Sequence, residues 1–441
     1  MRLSVLETKR LAACLGLGLL LAVITGPSGS QDHPSSGIRG SLLDVRVVDF
    51  LLFGLVVWAL AFGLRRARQT EAVSGPTAQL RQTVRTALDR RGARPTSYLA
   101  MLLVAILVPL ALAPAAQLSL FLDIGIYALL ALGLNVVVGY AGLLDLGYIA
   151  FYAIGAYVTA YFTSASALPI HAPFLLNPFF VFPVAVAVAA LAGIILGGPT
   201  LRLRGDYLAI VTLGFGEIVQ ILARNSDGVT NGSRGAFGVP GLSMHLGPLE
   251  YVFPRTKALP YYYLLLTILV LVMIAFSQLE RSRVGRALAA IREDEVAAEA
   301  SGVPTLRYKL VAFAIGASTS GFAGVLFATK QFFNPETFSL QASILVLTIV
   351  IFGGMGSLFG VVLGAVVLQG LAYVLRDPIP FIGFQVADAD RFIYFGAVII
   401  IMMVFRPQGL VPSRRRSREI KLSEQGLGHA DAITGASEVK P

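Results

Sequence analysis

Apolar residues along this chain fall into long unbroken runs, separated by short polar stretches rich in Gly, Pro and Arg. A helix needs roughly 17–25 apolar residues to cross the hydrocarbon core of a bilayer, whereas barrel strands would alternate apolar and polar positions. These runs do not alternate. Spans are predicted near residues 11–26, 47–64, 97–115, 118–138, 145–163, 176–198, 207–223, 261–278, 309–329, 341–356, 357–375 and 391–405. The expected fold class is all-α: a polytopic membrane helix bundle of about 12 spans, ten of them following two amino-terminal helices. A cleaved signal peptide is the alternative reading of 11–26. Only "GGMGS" divides 341–375, so that stretch is two helices, one long helix or one broken helix.

Composition strengthens this picture. Hydrophobic residues make up 56% of the chain and charged ones 14%, against roughly 25% charged in a soluble domain, so most of the surface must face lipid or other apolar helices. The net charge of +10 would suit nucleic acid if it were clustered in a folded patch, but its placement follows the spans. With the amino terminus inside, segments 1–10, 65–94, 199–206, 279–310 and 406–441 hold 26 of the 35 Lys and Arg residues. That is the positive-inside rule, and it puts both termini in the cytoplasm and leaves no role for nucleic acid. Three regions follow: an amino-terminal extension 1–95 with two spans and a basic cytoplasmic linker, a transmembrane domain 96–412, and a polar tail 413–441 without aromatics, expected to be disordered. The longest outside loop, about 224–260, is rich in Gly and Pro and shows no helical or strand periodicity; it reads as a binding surface or as a passive connection.

Catalytic signatures are absent from the sequence. No Gly-Lys dipeptide occurs, so there is no phosphate loop of the Walker type. The four histidines are scattered and the one cysteine, Cys14, cannot form an internal disulfide, so neither a metal site nor a catalytic residue is assigned. "LAAC" at 11–14 is not a lipoprotein site, because the apolar stretch follows the cysteine.

Four features invite a role in transport. Gly356, Gly360 and Gly364 in "GSLFGVVLG" recur every four residues, which on a helix lines one face and lets a neighbouring backbone approach. "GLNVVVGYAGLLDLGYIAFYAIGAY", residues 133–157, interrupts an apolar run with glycines and sets Asn135 and Asp145 beside the break, as a broken helix on a pathway or as a cytoplasmic turn. Glu217 in "VTLGFGEIVQ" is the foremost ionisable residue inside a span, either on a pathway or in a structural hydrogen bond. Finally, "GRALAAIREDEVAAEASGVP", residues 285–304, is predicted to be a short cytoplasmic helix presenting Arg292, Glu293, Asp294 and Glu295, with Leu288 and Ile291 packed back and a stop at Gly302 and Pro304. It reads as a docking element or as a solvated connector.

Taken together, "GLNVVVGYAGLLDLGYIAFYAIGAY", "PTLRLRGDYLAIVTLGFGEIVQIL" and "GRALAAIREDEVAAEASGV…KLVAFAIGASTSGFAGVLFA", with "IFGGMGSLFG" and "FRPQGLVP", resemble the membrane permease subunits of bacterial ABC importers for branched-chain amino acids, over about residues 118–412. The helices before residue 95 look like the extension of the larger of the two paired permease types. The resemblance implies that the short cytoplasmic helix seats in an ATPase subunit. Ala297, Ala298 and Gly302 match the "EAA…G" pattern of related permeases, while Val296 stands where that pattern has glutamate. It further implies a second, homologous permease subunit, two ABC ATPase subunits carrying ATP and magnesium, an extracytoplasmic substrate-binding protein, and residence in the bacterial inner membrane, with no cofactor in this chain. The implied substrates are leucine, isoleucine and valine, or another small solute such as urea or short-chain amides. From a different class, a self-contained secondary transporter would carry coupling protons on Asp123 and Glu217.

Overall fold

The computed structural model describes residues 105–109, 124–201, 206–246, 249–253, 258–376, 396, 400 and 409–411. The expected spans at 11–26 and 47–64, nearly all of those at 97–115 and 391–405, Asp123, the basic linker and the tail lie outside the described residues. Ten helices carry the argument: α1 (Ile126–Leu134), α2 (Ile149–Thr163), α3 (Pro178–Thr200), α4 (Asp206–Asn225), α5 (Ala258–Arg281), α6 (Arg283–Glu293), α7 (Glu295–Ala300), α8 (Thr305–Lys330), α9 (Leu340–Gly353) and α10 (Leu358–Arg376). Four of the described helices are long and apolar enough to cross a membrane, namely α3, α4, α5 and α8. At 1.5 Å per residue a 23-residue helix such as α3 is roughly 35 Å long, more than a hydrocarbon core requires.

Two helices form the centre. α1 is buried at every position but Tyr127, as an all-apolar helix must be when neighbours surround it. α8 packs against α1, α2 and α3, and small residues let it do so. A β-carbon at Gly155 of α2 would stand 2.7 Å from the Gly321 carbonyl oxygen, and one at Gly324 would stand 2.7 Å from the Ala156 nitrogen and the Tyr152 oxygen. On its other sides, Gly321 abuts Ala185 and Ala189 of α3, and Gly316 abuts Gly133 of α1. Three hydroxyls of this helix are satisfied within it: Ser318, Thr319 and Thr329 donate to carbonyls four residues back, while the buried Ser320 hydroxyl has no hydrogen-bond partner.

The helix ends sort into two groups. At one end Arg292 reaches Gly139, Gly356 reaches Asn135, and the Leu410 and Val411 nitrogens donate to the Phe352 and Gly353 carbonyls. At the other, Ser164 donates to the Gly238 carbonyl, Asn177 to Ser243 and Gln220 to the Pro335 carbonyl. Successive long helices among those described run between these two groups of ends. Two expectations change. The 224–260 loop is not featureless: Asp227–Thr230 forms a helical turn, Gly232–Arg234 a 3-10 turn, and β1 (Ser243–Leu246) pairs antiparallel with β2 (Leu249–Val252). The open question at 341–375 resolves into two helices, because Gly354 and Gly356 take φ values of +114° and +83° in the break between α9 and α10.

Candidate functional site

Residues 283–302 fold as two short helices rather than one. Ser282 caps α6 by accepting from the Gly285 nitrogen at 3.2 Å, and Gly285, Leu288 and Ile291 turn inward at helical spacing. The helix stops at Asp294, which is extended (φ −155°, ψ 112°). There its side chain accepts from the Val296 and Ala297 nitrogens at 2.9 and 3.0 Å, so an aspartate that ends one helix caps the next. α7 closes with the Gly302 nitrogen donating to the Glu299 carbonyl at 2.9 Å and the Val303 nitrogen to the Ala298 carbonyl at 3.1 Å. Those are the two bonds of a Schellman ending, which needs a left-handed residue between them. Gly302 supplies it at φ +84°. Within α7 only Ala298 is buried; Val296, Ala297 and Glu299 are exposed, as are Glu293 and Asp294 before them.

Two side chains fix this segment to the bundle. Arg292 donates through Nη1 to the Gly139 carbonyl, and its aliphatic stem lies over Gly142, where an added β-carbon would stand 2.8 Å from Arg292 Cγ. Glu295 pairs with Lys309 in the second turn of α8 at 2.5 Å, and the lysine side chain is 2% exposed. A cation near a helix amino terminus opposes the macrodipole, so this buried ammonium depends on its carboxylate. The pattern match left Glu295 outside the motif, and Lys309 was not singled out at all. A lone lysine following a predicted helix start is the only signal the sequence held.

The remaining candidates separate in space. Asn135 is fully buried where α1 passes into a π-helical turn, Asn135–Tyr140, and its Oδ1 accepts from the Gly356 nitrogen at 2.8 Å. Asp145 is buried ahead of α2: one carboxylate oxygen accepts from the Gly147 nitrogen at 3.0 Å, while the other has no hydrogen-bond partner. Next to it the Leu146 nitrogen donates to Thr212 of α4 at 3.1 Å, and Gly147 lies so near the Thr212 carbonyl that a β-carbon would collide with it. Glu217 is half-buried on α4, five residues beyond Thr212 and therefore about 140° around the helix from that inward contact. It shares its face with Gly214, beside which there is open space, and with the exposed Ile210 and Ile221. The glycine stripe needs a correction. Gly360 and Gly364 do face α9, where a β-carbon at Gly364 would stand 2.7 Å from the Ile349 carbonyl, but Gly356 precedes α10 and turns its backbone toward Asn135 instead. The regular spacing misled because the two positive-φ glycines end the helix short of it. Close glycine packing on α8, at Gly316, Gly321 and Gly324, went unnoticed since its spacing is five and three residues rather than four. Among the described residues no three His, Cys, Asp or Glu side chains gather as a metal site would require.

Comparison with known proteins adds to this geometry. Residues 116–406 match the family model of the branched-chain amino acid transport system permease component. The chain is 41% identical over 320 residues to the high-affinity branched-chain amino acid transport system permease protein LivM of Salmonella typhimurium, covering 67% of this chain and 70% of that one. It is likewise 41% identical over 321 residues to LivM of Escherichia coli, with the same coverage. With the permease protein LivH of Escherichia coli it shares 26% identity over 292 residues, 65% of this chain and 91% of that one. No solved structure matches the chain.

Proposed function

The chain belongs to the branched-chain amino acid transport permease family, and from that membership we propose that it is the larger membrane subunit of an ATP-driven importer of leucine, isoleucine and valine. It is a multi-pass membrane protein. The likeness to both LivM and LivH supports a homologous permease as its partner, each supplying half of the translocation path. ATP bound and hydrolysed by two ATPase subunits would favour one arrangement of the helices over another, and a binding protein would deliver substrate from outside. About 12 spans, the extension 1–95, the transmembrane domain 96–412 and the tail 413–441 complete the proposed organisation, in the inner membrane with both termini cytoplasmic.

One observation carries the docking role. Segment 283–302 is held to the bundle by Arg292 and Glu295, yet it leaves Glu293, Asp294, Val296 and Ala297 exposed. A passive connector needs no such anchoring. The path itself we assign to the outer face of α4, since a carboxylate facing lipid would cost roughly 2.5–3.5 kcal/mol on insertion scales. Glu217 beside the open Gly214 suits a protein or aqueous wall better.

The test is purification of the tagged chain from native membranes in mild detergent, with mass spectrometry of what accompanies it and leucine uptake by proteoliposomes. A second permease and two ATPase chains are expected, with uptake that requires ATP and is displaced by isoleucine and valine but not by urea or short-chain amides. Ion-driven uptake by the chain alone would instead identify a secondary transporter.

Gly302 provides a sharper test of the docking segment. No atom lies within 4 Å of where its β-carbon would be, so substitution costs backbone strain alone. Gly302→Val is expected to destabilise the end of α7 by about 1–2 kcal/mol and to lower uptake several-fold at normal membrane content. Asn tolerates the left-handed region, so Gly302→Asn should transport nearly normally. Equal uptake by both variants would show that the ending of α7 has no part in transport.

A further inference from the structure

We propose that Arg292, Gly139, Asn135 and Gly356 form one strut that carries movement of the docking segment to the break between α9 and α10, with Asn135 as the positioning residue at its centre. The inference rests on the coupling role assigned above and specifies its route. Five observations support it. Asn135 is 0% exposed, in a helix where any aliphatic residue would serve packing better. It spends one hydrogen bond on the Gly356 nitrogen and leaves its Nδ2 without a partner, and a buried donor without an acceptor costs about 1–3 kcal/mol. Packing alone does not explain a group held at that cost.

Gly139 is confined by the same contact. A β-carbon there would strike Asn135 Oδ1 and stand 2.6 Å from the Gly356 nitrogen, so the residue whose carbonyl receives Arg292 also touches both other members of the strut. The helix is π-wound over Asn135–Tyr140. Such turns displace carbonyls from the α-helical ladder and occur often at functional sites. At the far end, Gly354 and Gly356 take positive φ, and Gly409 lies with a would-be β-carbon 2.5 Å from Gly354 Cα. The break is thus fixed on one side by the 409–411 backbone and on the other by Asn135. A charge-assisted hydrogen bond at one end and a 2.8 Å N–H···O hydrogen bond at the other leave little slack between them: if α6 shifts by an ångström or two, the Gly139 peptide must follow or release Arg292.

The test has two arms. In the purified chain, hydrogen exchange is followed in peptides spanning 352–358 for Arg292→Met, Asn135→Ala and the double variant. In the reconstituted complex, leucine imported per ATP hydrolysed is measured for the same set. Arg292→Met is expected to speed exchange at 354–357 although it lies outside that segment. Each single variant should lower the import ratio at least fivefold with the ATPase subunits still bound, and the double should be no worse than the more severe single. Asn135→Asp keeps an oxygen acceptor for the Gly356 nitrogen and should retain the ratio within twofold, and a collapsed ratio in this variant would count against the proposal; if the alanine variant is not recovered, Asn135→Leu, which fills the space without an acceptor, replaces it in both arms. Unchanged exchange at 354–357 in Arg292→Met overturns the strut. So do import losses that multiply in the double variant, or an import ratio that stays normal in the singles. Loss of the ATPase subunits from Arg292→Met would make the arginine a docking residue and likewise overturn it. A wild-type complex that imports nothing would defeat the parent reading, while the exchange arm still decides the strut.

Discussion

Gly324→Val is expected to abolish recovery of folded chain, read as loss of the monodisperse peak in detergent and of protein resistant to mild heating. The reason is the material that the new side chain would meet. At Gly324 even a β-carbon would stand 2.7 Å from the Ala156 nitrogen and the Tyr152 oxygen. Both are backbone atoms of α2, which cannot swing aside as a side chain could, so α2 and α8 would have to part. Overpacking a core against movable side chains costs roughly 1–3 kcal/mol; parting two central helices also forfeits the contact at Gly155 and Gly321. With total stability of about 5–15 kcal/mol, the chain has little margin for such a loss. Gly198 offers the control. Nothing lies within 4 Å of its would-be β-carbon, and Gly198→Val should be recovered at close to the normal yield. Normal folding of Gly324→Val would show that the α2–α8 crossing is looser than its geometry.

Glu295→Gln is expected to strand Lys309. The ammonium is 2% exposed and its carboxylate partner 28% exposed, so the lysine is the member that cannot turn to water. Removing one partner of a buried pair costs about 3–5 kcal/mol, chiefly through the charge left behind. Relief comes most readily by releasing α7 from α8, which detaches the docking segment and opens Arg283, Arg286 and Arg292 to trypsin. Faster cleavage there and loss of leucine uptake are the expected readings. The double variant Glu295→Gln/Lys309→Met removes the stranded charge as well; stability should return while uptake stays low, since the anchor is still missing. Were the single variant as protease-resistant as wild type, the pair would contribute nothing to holding α7.

Much of this architecture is local in origin and therefore legible in the residues. The long apolar runs dictate helices, since a membrane interior leaves the backbone no partner but itself. The stop at Gly302 and Pro304 follows from positive φ and a missing N–H. The family resemblance, too, is legible in linear blocks around residues 133–157, 199–222 and 285–328. Other decisions were tertiary. Asn135 and Gly356 are 221 residues apart and Arg292 and Gly139 are 153 apart, so no periodicity could join them. By sequence Asp294 is one more charge on a helix face; in the fold its side chain accepts two backbone hydrogen bonds. Gly356 belongs by spacing to a packing stripe and by its surroundings to the break between α9 and α10. Glycine in a membrane helix signals that something comes close; only the packed bundle says what comes close and from which side, because the neighbour is set by the summed packing of helices far away in the chain.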